Sequence, residues 1–299
     1  MTAKNSPRSG TMLDGARLSL MAVFAHPDDE SFGIGGTLAR YGSDPDVRVA
    51  LVCATRGEAG EISDPKLASA ERLGKVREQE LRCACRTLGV DALFFLGYRD
   101  SGMAGTPENE DPRALAQADF GEAVGKVVAH IRREKPDVVV TFDENGGYGH
   151  PDHIAIHHIT KAAFVAAADP AQHREQIEAG LQPHQASKLY FTAIPRRFFR
   201  SVVAKMEELG MDVPERYRQR QDNSGLPDEA CTTDIYVQDF WSTKQAAVGC
   251  HATQLAADSI FATLPPEIMR DLQAWECFQL AETFVGEEQE SHDLFSGVE

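Results

Sequence analysis

The sequence predicts an α/β domain: a doubly wound, mainly parallel sheet with helices on both faces. Three observations carry this expectation. Short β-branched or aromatic runs alternate with longer stripes of helical period, the order that builds strand-helix-strand crossovers. The runs, such as LSLMAVFA at 18–25 and VRVALVCAT at 47–55, are too apolar to have a wet face, so each strand needs cover on both sides. With 299 residues, the chain can bury roughly three quarters of its unfolded surface in one core without disulfide or metal staples.

Taken in order, strands are expected at 18–25, 47–55, 92–96, 138–142, 189–194 and 234–237. Helices fill the gaps at about 33–41, 69–88, 119–134, 152–168, 198–209 and 241–256. Winding 69–88 as a helix puts Leu73, Val76, Leu81, Ala84 and Leu88 on one stripe, with Arg77 and Glu80 inside it. Charges on an apolar face need a partner or a cavity. An Arg77–Glu80 ion pair at the helix edge and an Arg77 that lines a pocket both satisfy that need. The last helix offers a stripe of Lys244, Val248, His251 and Leu255 that could pack on the sheet. No repeat of solenoid period and no Pro- or Gly-rich linker divides the chain, so 17–285 reads as a single domain. The first 16 residues and the acidic stretch 286–299 read as flexible tails. The polar, proline-containing stretches 171–185 and 210–229 read as surface excursions, solvated loops or a lid.

Composition narrows the function classes. Hydrophobic residues make up 42% and charged residues 25%, as in ordinary globular chains. Acidic residues outnumber basic ones 46 to 30, a formal charge of −16. Such a field repels phosphate backbones and anionic lipid, and no compensating basic patch is present, so neither nucleic acid nor membrane is an expected partner. A neutral or cationic small molecule fits better. The six cysteines, at 53, 83, 85, 231, 250 and 277, form no CxxC pair or regular framework, which points to a reducing compartment. The opening residues lack the apolar core of a signal peptide, and no run approaches the ~18 apolar residues of a membrane span. A cytoplasmic protein is expected.

The chemistry concentrates in two turns. His26-Pro27-Asp28-Asp29-Glu30 follows directly on the first strand. Pro27 suits a first helical turn, which would set His26 and Asp29 on one side and aim Asp28 elsewhere. His150-Pro151-Asp152-His153 follows the fourth strand in the same position, behind the turn Asn145-Gly146-Gly147-Tyr148-Gly149. In a sheet of order 3-2-1-4-5, the first and fourth strands are neighbours at the switch point, where open α/β sheets bind ligands. Two histidines and a carboxylate make a catalytic zinc set that leaves a fourth position for water. His26, Asp29 and His153 are the expected ligands. His157, one turn beyond His153, is the rival on that helix face. His130, His158, His173, His184 and His292 read as surface or hydrogen-bonded core residues.

AHPDDE after the first strand and DENGGYGHPDH after the fourth resemble the LmbE/PIG-L family of zinc-dependent N-deacetylases, which act on N-acetylglucosamine-containing molecules. The likeness covers most of the chain and is strongest over 17–168. It implies a Rossmann-like fold, zinc held by His26, Asp29 and His153, Asp28 as general base, and His150 as a helper at the oxyanion. Arg99-Asp100-Ser101-Gly102-Met103 and Gly57-Glu58-Ala59-Gly60-Glu61 resemble substrate-side loops of the branch that handles mycothiol and its precursor, which makes Asp100 and Glu61 candidate substrate contacts. The matching arginine of that branch hydrogen-bonds a substrate hydroxyl, and the resemblance implies the same of Arg77. Lys244, His251 and Gln254 resemble the late KxxA…HxxQ helix of the family.

The implied reaction removes the N-acetyl group from a GlcNAc-type amino sugar, GlcNAc-inositol being one candidate; amide cleavage of a thiol conjugate of that sugar is the alternative. Zinc lowers the pKa of a coordinated water from ~15.7 to about 7, and Asp28 would accept its proton as the water attacks the amide. Iron(II) can use similar ligands. His150, held by Asp152, would donate to the oxyanion, with Tyr148 as a further donor. Other classes fit less well. Gly33-Ile34-Gly35-Gly36 resembles a dinucleotide turn, but Leu38 stands where its third glycine belongs. A metallophosphoesterase would want two metals and more carboxylates. A non-catalytic metal- or sugar-binding module has no use for Asp28. Asp28→Ala is therefore expected to abolish amide hydrolysis while bound metal, measured by atomic absorption, stays at the wild-type level; undiminished turnover would move the base elsewhere.

Overall fold

Leu18–Phe24 (β1) is buried along its whole length and lies in the interior of a seven-stranded sheet. The structure is a computed structural model and describes residues 17–215, 217–219, 225–255, 264–286 and 292–298. The expected tail at 1–16 lies outside them. Val47–Cys53 (β2) and Val138–Thr141 (β4) flank β1 in parallel, and Ala92–Phe95 (β3) and Lys188–Ala193 (β5) extend the parallel set on either side. Thr233–Tyr236 (β6) and Trp275–Thr283 (β7) complete the sheet, β7 pairing antiparallel with both β5 and β6. The strand order is β3-β2-β1-β4-β5-β7-β6, so the expected 3-2-1-4-5 arrangement is present. The sequence reading missed β7. Its stretch WECFQLAET interrupts the apolar run with Glu276, Gln279 and Glu282, and it becomes a strand by lying between two others.

The helices, in chain order, are Asp29–Gly42 (α1), Leu73–Leu88 (α2), Phe120–Glu134 (α3), the single turn Gly146–Gly149 (α4), Pro151–Ala166 (α5), Arg174–Glu178 (α6), Arg196–Glu208 (α7), Trp241–Cys250 (α8) and Pro266–Leu272 (α9). α1, α2 and α8 pack together, and α3 packs on α5. α1 kinks at Ile34, where φ is −131°. Glu276 of β7 meets the amides this frees, accepting from Gly36 N at 2.9 Å and Thr37 N at 2.7 Å, while Lys244 of α8 pairs with the same carboxylate at 2.8 Å. Lys244 is thereby a buried tie between α8, α1 and β7. A Cβ at Gly36 would lie 2.6 Å from Val237, so only glycine lets the kinked helix approach the end of β6.

Three expectations need correction. Cys83 of α2 and Cys250 of α8 form a disulfide, with Cα atoms 5.8 Å apart and 167 residues between them in sequence. The reading of the cysteines as unpaired rested on spacing along the chain, which carries no trace of the α2–α8 contact. The stretch 286–299 is not a free tail over its described end. Leu294 and Phe295 are 0% and 3% exposed, and Tyr41 Oη donates to Asp293 at 2.8 Å and accepts from Leu294 N at 2.9 Å. The average acidity of the segment hid a two-residue apolar anchor. The stretch 171–185 is no lid. It folds under the carboxyl ends of α3 and α5, at the edge of the sheet opposite the strand ends that carry the HPD turns. Arg132, 1% exposed, holds it there by donating to Ala167 O at 3.1 Å, Asp169 O at 2.8 Å, Gln172 O at 3.0 Å and Gln176 Oε1 at 3.2 Å. Part of 210–229 lies outside the described residues; Leu226 within it pairs with the backbone of Ile194 and Arg196.

Among the described residues no helix is long and apolar enough to cross a membrane. Removing the buried guanidinium in Arg132→Met leaves several carbonyls without a donor and should lower unfolding free energy by about 3 kcal/mol in a urea titration, with hydrolysis unaffected below the transition.

Candidate active site

β1 and β4 are neighbours, and both run into HPD turns at their carboxyl ends, so the sheet brings His26 and His153 together although 127 positions separate them. Asp29 is placed by a turn and not by a helical face as the sequence reading had it. α1 begins only at Asp29, and the Asp29 carboxylate folds back to accept from His26 N at 2.7 Å and Ala25 N at 3.2 Å. His26 Nδ1 and His153 Nε2 stand 3.1 Å apart, with Asp29 Oδ1 3.3 Å from His153 Nε2 and Asp29 Oδ2 3.7 Å from His26 Nδ1.

The other side of each ring is already committed. His26 Nε2 donates to Asp152 Oδ2 at 3.0 Å, and His153 Nδ1 donates to Gly146 O at 3.1 Å. Each ring then turns its other nitrogen toward the other ring and toward the Asp29 carboxylate, where a proton makes a His26–His153 hydrogen bond and a divalent ion among the three groups would take that proton's place. Four ligands at bond lengths of about 2.0–2.1 Å around a tetrahedral ion lie roughly 3.3 Å from one another, close to the separations seen here. Histidine ligands with their second nitrogen on a carboxylate or a backbone carbonyl are the usual support for a metal. The residues fit a divalent ion. The electrostatics agree: burial pulls the His26 imidazolium down, but Asp100, Asp152 and Asp29 outweigh it and raise His26 to about 10, so the surroundings stabilise positive charge at this point. Burial lifts the Asp29 carboxyl, yet His153 and His26 hold it well below the usual range.

Two further groupings share His26: His26, His150 and His153, and His26, Asp100 and Asp152, each with ligand atoms within 4.8 Å. Asp100 and Asp152 lie on the Nε2 side of His26, where they orient the ring. Asp152 was expected to hold His150. Its carboxylate instead meets His26 and accepts from Ser101 N at 2.9 Å and from Ser101 Oγ. Only its backbone touches His150, the Asp152 amide donating to His150 Nδ1 at 3.1 Å. His150 therefore caps α5 as a neutral ring whose Nε2–H is the remaining donor; burial, His26 and His153 lower it to about 4. The Tyr148 ring stands 6.1 Å from His150 and 5.0 Å from His153. His157 is not gathered in: its Nδ1 donates to Phe142 O at 2.8 Å.

Asp28 occupies a left-handed backbone position, φ 120°, which costs a residue with a side chain on the order of 1–3 kcal/mol. Burial raises its carboxyl to about 6 against the pull of Arg77. Arg77 Nη2 reaches Asp28 Oδ2 at 3.2 Å and Pro27 O at 2.6 Å, and Nη1 reaches Gly57 O at 2.9 Å. The Arg77–Glu80 pair does not form, because Glu80 accepts from Thr253 N at 2.8 Å and Thr253 Oγ1 at 2.7 Å. Gly57 and Gly60 lie over the guanidinium, and a Cβ at either would collide with it. Asp100 is engaged by Ala59 N at 3.1 Å and Gly102 N at 2.8 Å, while the Glu61 side chain is exposed. Sequence reasoning gave no role to Ser101, to Gly146 O or to Glu30, which accepts from Asp28 N at 3.0 Å. A conspicuous acid after HPDD was the only available signal for Glu30. A cavity of about 480 Å³ lies beyond Phe32 and Gly33, but its charged groups are paired with one another, Arg197 with Asp234 at 2.7 Å and Lys244 with Glu276 at 2.8 Å.

Since Asp152 orients His26, a divalent ion held by His26, Asp29 and His153 should bind about 10- to 100-fold more weakly in Asp152→Asn in a chelator competition; an unchanged affinity would remove the orienting role assigned to that carboxylate.

Comparison with known proteins agrees with this geometry. The family described as PIG-L: GlcNAc-PI de-N-acetylase matches residues 21–164. The 1D-myo-inositol 2-acetamido-2-deoxy-alpha-D-glucopyranoside deacetylase of Thermobifida fusca is 40% identical over 87% of this chain and 92% of its own. The enzyme of the same name from Acidothermus cellulolyticus is 41% identical over 94% and 95%. Among solved structures, N,N'-diacetylchitobiose deacetylase from Pyrococcus horikoshii superposes with a TM-score of 0.62 over 88% of this chain and 83% of its own at 21% identity, which speaks for the fold. With relatives of this identity over nearly its whole length and a family match over both HPD turns, the chain belongs to the PIG-L family.

Proposed function

We propose that this chain is a zinc-dependent hydrolase that removes the acetyl group from a GlcNAc-type amino sugar, with GlcNAc-inositol as its substrate. The observation that carries the reading is the convergence of His26 Nδ1, His153 Nε2 and the Asp29 carboxylate on one point, with the Asp28 carboxyl on the adjoining residue. Relatives at about 40% identity, named for the inositol-linked sugar, support the substrate. The charge of −16 supports a neutral sugar over nucleic acid or an anionic membrane.

Zinc held by His26, Asp29 and His153 would supply a water that ionises near neutral pH and a Lewis acid for the amide carbonyl. The remaining work falls to this chain. Asp28 accepts a proton as water adds to the carbonyl carbon, and is placed to return it to the amine as the C–N bond breaks, leaving acetate and a free amino sugar. Arg77 keeps the Asp28 carboxylate aimed; its guanidinium is buried beneath Gly57 and Gly60, so its part in substrate binding runs through Asp28 and that turn. His150 Nε2–H and the amino end of α5 face the oxygen on which negative charge develops. Asp100, expected to touch substrate, is committed to the turn and to His26; Glu61 and Tyr148, both exposed, are the further groups we assign to the sugar.

Zinc-loaded protein assayed against GlcNAc-inositol, free GlcNAc, chitobiose and a thiol conjugate should show its highest kcat/KM with GlcNAc-inositol; faster cleavage of the conjugate would reassign the substrate. His150→Ala should lower kcat roughly a hundredfold or more with zinc retained, the effect of losing one oxyanion donor. A variant that loses the ion would instead make His150 a ligand.

A further inference from the structure

Asp28 is held from two sides. Arg77 fixes its carboxylate; its carbonyl accepts from Ser31 N at 2.9 Å and Phe32 N at 3.0 Å, and the peptide on its amino side is held by a different pair. The Asp28 amide donates to Glu30 Oε2 at 3.0 Å, and Glu30 Oε1 meets His251 Nε2 at 2.8 Å and accepts from Ser31 Oγ at 2.5 Å. Glu30 and His251 are 1% and 0% exposed, so no solvent can replace either partner. His251 comes from 221 residues further along the chain, immediately after α8. The segment that carries it is pinned to α2 on both sides, by the Cys83–Cys250 disulfide before it and by Thr253 on Glu80 after it.

We infer that His251 is a positioning residue for the hydrolytic reaction, acting through Glu30 to keep Asp28 in its left-handed backbone conformation. The physical reason is that a buried carboxylate keeps a fixed orientation only while its own donors are present. Without His251 Nε2, Glu30 loses a donor that water cannot supply, and its other oxygen no longer has a fixed place from which to accept the Asp28 amide. A residue with a side chain at φ 120° relaxes when that restraint goes. The carboxyl then swings away from the water it must deprotonate, while the zinc ligands, held by their own partners, stay in place. This explains why the late helix carries a buried histidine that reaches neither metal nor solvent. The inference rests on Asp28 as the base.

The test compares two polar replacements. The amide nitrogen of glutamine lies where His Nε2 does, and that of asparagine falls short of Glu30. His251→Asn should lower kcat at least about tenfold with KM within about twofold and zinc still at the wild-type stoichiometry, whereas His251→Gln should keep kcat within about threefold of wild type. Crystal structures should show Asp28 leaving φ 120° in the asparagine variant and keeping it in the glutamine variant. Full kcat in His251→Asn overturns the inference, as does a glutamine variant no faster than the asparagine one, or a loss expressed in KM or in bound zinc. Should wild-type protein fail to hydrolyse any of the amides, the proposed reaction falls, and the two Asp28 conformations alone decide the positioning role: an unmoved Asp28 in His251→Asn overturns it.

Discussion

The facing nitrogens of His26 and His153 and the two oxygens of Asp29 stand about 3–4 Å apart at the ends of β1 and β4, and the rest of the site is arranged around that meeting. The sheet supplies the approach, because parallel pairing of β1 with β4 forces their carboxyl ends to one edge. Hydrogen bonds on the far side of each ring fix which nitrogen it turns to that point. Asp152 determines this for His26 and Gly146 O for His153. The glycine is required: a Cβ at Gly146 would lie 2.6 Å from His153 Cβ, so a larger residue could not bring its carbonyl to that ring.

Around this point the chain arranges opposing fields. His26 is surrounded by carboxylates that favour positive charge, whereas His150, two residues from the same carboxylate Asp152, sees the amide end of α5 and two other imidazoles and stays neutral. Burial pushes the two adjacent aspartates alike, and their partners separate them: His153 and His26 pull Asp29 far down, while Arg77 only partly offsets burial at Asp28. One member of the pair is thereby fitted to hold a cation and the other to take up a proton.

The five parallel strands and most of the helices were legible from periodicity, as were His26, Asp29 and His153 as a set. β7 was not, because its polar residues serve contacts made across the sheet: Glu276 repairs the kink of α1 and has no reason to be there in a strand considered alone. The buried anchor Leu294-Phe295 was lost in the acidity around it. Arg77 was recognisable as a charge on an apolar stripe, but its true partners, Pro27 O and Asp28, come from another strand end.

By itself the sequence determined that imidazoles and carboxylates stand together in the turns after two strands, with a second carboxyl beside Asp29. These are encoded in adjacent residues and in local periodicity, which need no knowledge of the fold. Only the tertiary structure decided which nitrogen each histidine presents, that Asp152 serves His26 and not His150, and that the backbone of Asp28 leans on Glu30 and His251. Those choices are made by hydrogen bonds between residues as many as 221 positions apart, whose directions exist only once the layers have packed.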